Sequence, residues 1–273
     1  VLLTVAVVPG PPAFVSELMG SAAHELDDLR DAAGRVLAQT LSELLTAARE
    51  LTSDSGQCSG SGLASAGSAQ GSAQLVVVGP GEPGEFKATG PVSFASFGRD
   101  VLLPALADQP AGDAEGWGEL PTPIMVARYL ASRDIAAHPE HAHLWACARW
   151  VTTNGENATA LGEQLAASGS AVALILVADG AACHGPKAPM AQDARAEAYD
   201  DEVWAALAGG QLSLLAQVDA ELGSALGASG AQVWPVLVAA AGESDARGIG
   251  EVLWAGAPYG VGWAVAGWRR TCQ

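Results

Sequence analysis

The 273-residue sequence predicts an α/β fold: a central, mostly buried mixed sheet flanked by helices, formed by residues 1–273 as a single domain. Three observations predict it. Strand-like and helix-like patterns alternate through most of the chain. The strand-like runs at both ends and in the middle are apolar almost throughout, as strands covered on both faces are. One long segment carries an apolar stripe at helical spacing. With 49% of residues apolar, the chain has material for a sizeable core, and no fixed-period repeat points to a solenoid.

The elements follow in order. Leu2–Val8 is a continuous β-prone run that ends in Pro9-Gly10-Pro11-Pro12, which reads as a buried strand entering a loop. From about Ala22 to Leu51 the spacing is helical, with Leu26, Leu29, Ala33, Leu37, Leu41, Leu44, Ala48 and Leu51 three or four apart. Ser53–Ala73 is rich in Ser, Gly, Ala and Gln and is expected to be a flexible insertion. Gln74–Gly79 is a second buried strand, and Ser93–Phe97 a third exposed on one side. Leu120–Arg133 reads as a helix after two prolines, and His143–Val151 as a strand. Glu156–Ala167 is a helix, and Ala171–Ala178 is the most hydrophobic strand. A loop spans Asp179–Met190. Helical segments follow at Ala194–Leu207, Gln211–Leu222 and Ala231–Ala241, then strands at Glu251–Ala255 and Val261–Trp268.

Composition narrows the function classes. A formal charge of -17 disfavours nucleic acid and anionic lipid as partners, because their phosphates would be repelled. No apolar run reaches the ~18 residues of a membrane span. Val1–Val8 lacks the basic start and small-residue cleavage site of a signal peptide, so a cytoplasmic location is expected. Cys58, Cys147, Cys183 and Cys272 are scattered and form no CxxC pair, which argues for reduced thiols over a zinc ribbon or a disulfide framework.

Four local patterns carry possible chemistry. Gly79, Gly81 and Gly84 fit GxGxxG after a strand, but Pro80, Pro83, Glu82 and Glu85 are wrong for a pyrophosphate, and no helix follows; a turn is expected. His138, His141 and His143 lie in HPEHAH, where three imidazoles could bind zinc or nickel. Pro139 breaks any helical register there, and a solvated loop is the expected reading. Cys183 and His184 lie in the loop after the most buried strand, where sites gather in open α/β sheets; His184 could act as a general base. Lys187, one of few cations, could offset Asp179. No GxSxG elbow, P-loop or HExxH is present.

Several segments taken in order resemble the catalytic chains of the class III extradiol ring-cleavage dioxygenases, in particular an actinobacterial branch. They are the opening VAVVPGPPAFVSEL, HELDDLRDAA, QLVVVGPG, LILVADGAACHGPKAP, DARAEAYDDEVWAALAGG, GASGAQVWPVL and the closing APYGVGWAVAGW. The resemblance covers most of the chain apart from Ser53–Ala73 and parts of the middle. It implies a buried sheet wrapped by helices with the site at one end. Active members hold non-haem Fe(II) with two histidines and a glutamate, leaving open positions for a catechol and dioxygen, and a further histidine moves protons.

The departures from that pattern are specific. The resemblance places the first iron histidine in the turn after the first strand, where this chain has Gly10. It places the second after the next strand, where Gly79-Pro80 stands. The glutamate corresponds to Gly227–Gln232, which holds no carboxylate. Only the proton-transfer histidine has a counterpart, His184. The expectation is therefore a catalytically silent relative without a cofactor, binding a small molecule or a protein, with Gly10, Gly79, Asp179 and Lys187 around its pocket. A homodimer is possible. Two alternatives stand beside it: metal-free chemistry around His184, Cys183, Asp179 and Lys187, or a metal site relocated to His138, His141 and His143.

Overall fold

A computed structural model describes residues 1–54, 72–106, 119–242 and 248–271. Its strands are β1 (Leu2–Val8), β2 (Ala73–Pro80), β3 (Gly84–Phe86), β4 (Val92–Ser93), β5 (Leu102–Leu103), β6 (Arg149–Thr153), β7 (Ala171–Val177), β8 (Gly248–Gly256) and β9 (Trp263–Arg270). Its α-helices are α1 (Ser16–Met19), α2 (Asp27–Asp54), α3 (Thr122–Ala137), α4 (Ala142–Ala146), α5 (Gly155–Ala167), α6 (Ala196–Gly209), α7 (Ala220–Ala225) and α8 (Trp234–Ala241). Seven strands make one mixed sheet in the order β3-β6-β2-β7-β1-β9-β8, and β4 and β5 make a separate pair.

The apolar strands are explained by what covers them. On one face Val5, Val7, Val76, Val78, Leu174 and Leu176 pack under α5, α6 and α8. On the other, Ala6, Val8, Val77, Ala173, Ile175 and Val177 pack under α2 and α3. Each Val, Leu or Ile among them contributes roughly 1.5–3 kcal/mol on burial, so neither face tolerates a polar alternation. The α2 stripe is buried from Leu26 through Leu44, whereas Leu51 is exposed where the helix runs past the sheet.

Topology then fixes where a site can be. β6, β2, β7 and β1 are mutually parallel, while β9 and β3 run antiparallel at either side. The connection from β1 to β2 uses α2 on one face, and that from β6 to β7 uses α5 on the other, as right-handed crossovers in opposite directions require. The carboxyl ends of four parallel strands therefore line one edge, the position where open α/β sheets bind ligands.

Several expected boundaries shift. Of the expected third strand only Ser93 pairs, together with Val92 before it; a 3-10 turn over Ala95–Phe97 follows. The strand expected at His143–Val151 begins only at Arg149, because Pro139 starts a 3-10 turn that continues into α4. Gln211–Leu222 splits into a 3-10 helix, Leu212–Gln217, and α7, whose cap Asp219 accepts the Leu222 N–H at 2.9 Å. A 3-10 turn over Ser229–Gln232 precedes α8, which starts on Trp234-Pro235. Ser53 and Asp54 belong to α2 and Ala73 to β2, while the rest of the expected insertion lies outside the described residues, apart from Ser72. Among the described residues no helix is long and apolar enough to cross a membrane.

Candidate functional site

At the carboxyl end of β7 the chain leaves the sheet as Asp179-Gly180. Asp179 ties three loops together. Its Oδ1 accepts the Gly10 N–H at 3.0 Å, from the loop after β1. Its own N–H donates to Ser229 Oγ at 3.1 Å, and its carbonyl accepts the Gly230 N–H at 2.8 Å, both from the turn before α8. Burial pushes the Asp179 carboxyl up to about 6; the bonds from Gly10 and Ser229 act against this, and the neighbouring Asp200 carboxylate adds to it.

Beside it lies a histidine–aspartate pair. His184 Nε2 is 2.7 Å from Asp200 Oδ2, with the side chains 18% and 4% exposed. Asp200 Oδ1 also accepts the Ala181 N–H at 2.9 Å. The pair is held from two sides. Asp200 lies on the buried stripe of α6, formed by Ala196, Tyr199, Asp200, Val203 and Leu207. The His184 N–H donates to the Gly260 carbonyl at 3.0 Å. Gly180 and Gly262 face the Asp200 carboxylate, and a Cβ at either would occupy its oxygens; the carboxylate fits because neither has one. Burial raises the Asp200 carboxyl, opposed by the Ala181 N–H and His184. The arrangement orients an imidazole through Nε2 and leaves Nδ1 without a partner among the described residues, which is the geometry of an oriented proton carrier. A cavity of about 390 Å³ lies elsewhere, between α2 and α3; one of about 330 Å³ adjoins this edge and shares Ser229 with it.

The structure brings together Gly10, Asp179 and, through Asp200, His184; it does not bring in the rest. Lys187 is exposed and makes no ion pair with Asp179, so it does not offset that charge: the loop turns its stem outward after Gly185. Cys183 is buried in the core, its Sγ 3.6 Å from the Leu226 carbonyl, and burial pushes its thiol up, which removes it as a nucleophile. Cys147 is exposed and free; Cys58 and Cys272 lie outside the described residues.

The HPEHAH segment is not a solvated loop. His141 is 1% exposed, its Nδ1 3.0 Å from Asp134 Oδ2, and Trp145 Nε1 donates to the same oxygen at 2.7 Å. The 3-10 turn begun at Pro139 swings His141 inward, while His143 stays exposed near Cys147. The three imidazoles therefore do not share one centre. The His138 and His141 rings lie tilted against each other, with centroids 5.2 Å apart.

The residues at the expected iron positions do not fit an iron centre. A Cβ on Gly10 would lie 2.7 Å from Val177 Cγ1, and one on Gly79 2.7 Å from Pro123 Cβ. The turn at Ser229–Gln232 offers a hydroxyl that is already bonded to Asp179 N–H. Among the described residues no three His, Cys, Asp or Glu side chains cluster as ligands. Compared with protein-family models and with curated proteins, the chain matches none.

Asp200, Ser229 and Gly262 are the site residues that sequence reasoning missed. For Asp200 a signal was present: it is a carboxylate at an apolar-stripe position of a predicted helix, where an unpaired charge is too costly to keep. Ser229 and Gly262 had no comparable signal, since their roles arise only from long-range loop packing.

Proposed function

We propose that this chain is a relative of the class III extradiol dioxygenases that has lost the iron centre and binds a small molecule at the carboxyl edge of its sheet. The observation that carries the reading is the closure of two ligand positions. Gly10 and Gly79 lack donors, and Val177 and Pro123 fill the space a side chain there would need. The positions that the resemblance assigns to metal ligands are packed, while the edge keeps polar groups: Asp179, Ser229 and His184. The edge carries a carboxyl, a hydroxyl and an oriented imidazole, and the cavity of about 330 Å³ beside it is lined in part by Ser229, which suits a small hydroxylated molecule of the catechol type.

The test is calorimetric titration of the purified chain with catechol in chelator-treated buffer. Saturable binding, weakened at least about fivefold by His184→Ala, with no ring-cleaved product on adding Fe(II) and air, supports the reading. Ring cleavage at one iron per chain overturns it.

A second reading is favoured by the His184–Asp200 distance of 2.7 Å: metal-free proton transfer to or from the bound molecule, with His184 as base. It predicts that His184→Ala abolishes hydrogen–deuterium exchange at an acidic C–H of the ligand, whereas simple binding predicts no catalysed exchange at all.

A further inference from the structure

The groove between α2 and α3 carries an independent observation. Its cavity, about 390 Å³, is in the range of small-molecule sites. Arg30, Arg35 and Arg133 line it, three of the thirteen cations in a chain of net charge -17. Against them stand Asp31 and Asp134 in the lining and Asp27, paired with Arg30 at 3.2 Å, so the groove is formally neutral with His138 neutral, and its positive charge not held in an ion pair lies on Arg35 and Arg133. Asp134 is already bonded by His141 and Trp145, and Asp31 is exposed. The walls beneath are Phe14, Leu37 and Leu130.

The three arginines are not equivalent. Arg30 is fixed: Nε donates to the Phe14 carbonyl at 2.8 Å, and its amino groups to the Ala13 and Ala23 carbonyls and to Asp27. It supplies field but has little left to donate. Arg133 makes one bond, to the Tyr129 hydroxyl at 3.3 Å. Arg35 is exposed and makes no hydrogen bond or ion pair with a described residue. Arg35 has its planar donor fork free for a carboxylate, and Arg133, which also lies over the Tyr129 ring and near Glu17, keeps Nε and one amino group to donate.

Gly34 supplies the second observation. It sits inside α2, where glycine costs about 1 kcal/mol relative to alanine, it lines the cavity, and a Cβ there would meet nothing within 4 Å. Packing does not require this glycine; what it leaves is an open mouth over the apolar floor.

We infer that this groove is a second binding site, separate from the carboxyl edge, for an organic monocarboxylate whose apolar body rests on Phe14, Leu37 and Leu130 while Arg35 and Arg133 hold its carboxylate. Three probes of one shape but different charge test it: 4-phenylbutyrate, 4-phenylbutanol and 4-phenylbutylamine, titrated by calorimetry and by NMR at low salt. The carboxylate binds once per chain with a Kd on the order of 0.1–1 mM, the alcohol about tenfold more weakly, and the amine more weakly still. Arg35→Gln and Arg133→Gln, both exposed changes, each weaken the carboxylate about three- to tenfold. Gly34→Phe abolishes binding and Gly34→Ala preserves it, with circular dichroism confirming that each variant is folded. Absence of saturable carboxylate binding, amine binding as tight as the carboxylate, or unchanged binding in a folded Gly34→Phe overturns the inference. If Gly34→Phe does not fold, the arginine variants decide. Because His184 is remote from this groove's lining, His184→Ala leaves 4-phenylbutyrate affinity unchanged whatever becomes of catechol binding.

Discussion

Two histidine–aspartate pairs lie on opposite faces of the sheet, built from the same two side chains and put to different ends. His141–Asp134 sits under α3 with both side chains at most 2% exposed, and Trp145 donates to the same carboxylate. His141 Nε2 is buried with no partner among the described residues. His184–Asp200 sits at the carboxyl edge, with the carboxylate equally covered but the imidazole 18% exposed. The chemistry of pairing is therefore no guide to role; access is. A fully enclosed pair locks the turn between α3 and β6, whereas a pair with one reachable nitrogen can meet a ligand.

Breaking the enclosed pair has the largest expected effect. Asp134→Ala leaves the Trp145 N–H and the His141 imidazole unpaired in the core, and costs about 3 kcal/mol, or a fall in Tm of roughly 6–12 °C. Breaking the open pair costs less: His184→Ala destabilises by about 1 kcal/mol, because the Asp200 carboxylate keeps the Ala181 N–H and the vacated imidazole position opens to water, yet it removes the ligand effect. Thermal and urea unfolding of the two variants side by side checks the contrast; equal losses would erase it.

Filling the packed glycine positions comes next. Gly10→Ala and Gly79→Ala are each expected to cost roughly 1–3 kcal/mol, because Val177 and Pro123 must move aside. Gly10→His and Gly79→His together lose stability and gain no iron, measured by metal analysis after anaerobic loading.

The pH dependence sharpens the picture of the carboxyl edge. Asp179 titrates at about 6 in the folded chain, above its ordinary value, so the fold favours its protonated form. That contribution is present below the ordinary carboxyl value and is lost as pH rises through about 6. Asp179→Asn keeps an oxygen for the Gly10 N–H and abolishes this loss. At pH 7.5 it stabilises the chain on the order of 1 kcal/mol, a figure reduced for the residue's partial exposure, and it flattens Tm between pH 4 and 7. A profile identical to that of the unmodified chain would contradict the assignment. Smallest of all, Gly34→Ala raises stability by up to about 1 kcal/mol, since only helix propensity changes at an open position.

The sheet and its helical layers were legible because burial on both faces imposes continuous apolar runs, as in Leu2–Val8 and Ala171–Val177. Segments around Pro139 and Gln211 were misread because a proline-started turn and an aspartate cap, not periodicity, decide their conformation. The site was half legible. Asp179 and His184 follow the strand whose carboxyl end must be at the edge, but His184's partner is sixteen residues further on in another element. Two carboxylates on apolar helical stripes, Asp134 and Asp200, were the available clue. Each marks the place of a histidine partner, and reading them that way would have moved His141 from solvent to core. Lys187 misled because charge alone says nothing of which way an exposed stem points.

Equilibrium dialysis of the intact chain against Fe(II) without oxygen, read by elemental analysis, tests the central claim most directly. The account predicts less than about 0.1 iron per chain at concentrations where a three-donor site would saturate, with the unfolding curve unmoved. One iron per chain, accompanied by a rise in Tm that vanishes in His184→Ala or Asp179→Asn, would contradict it.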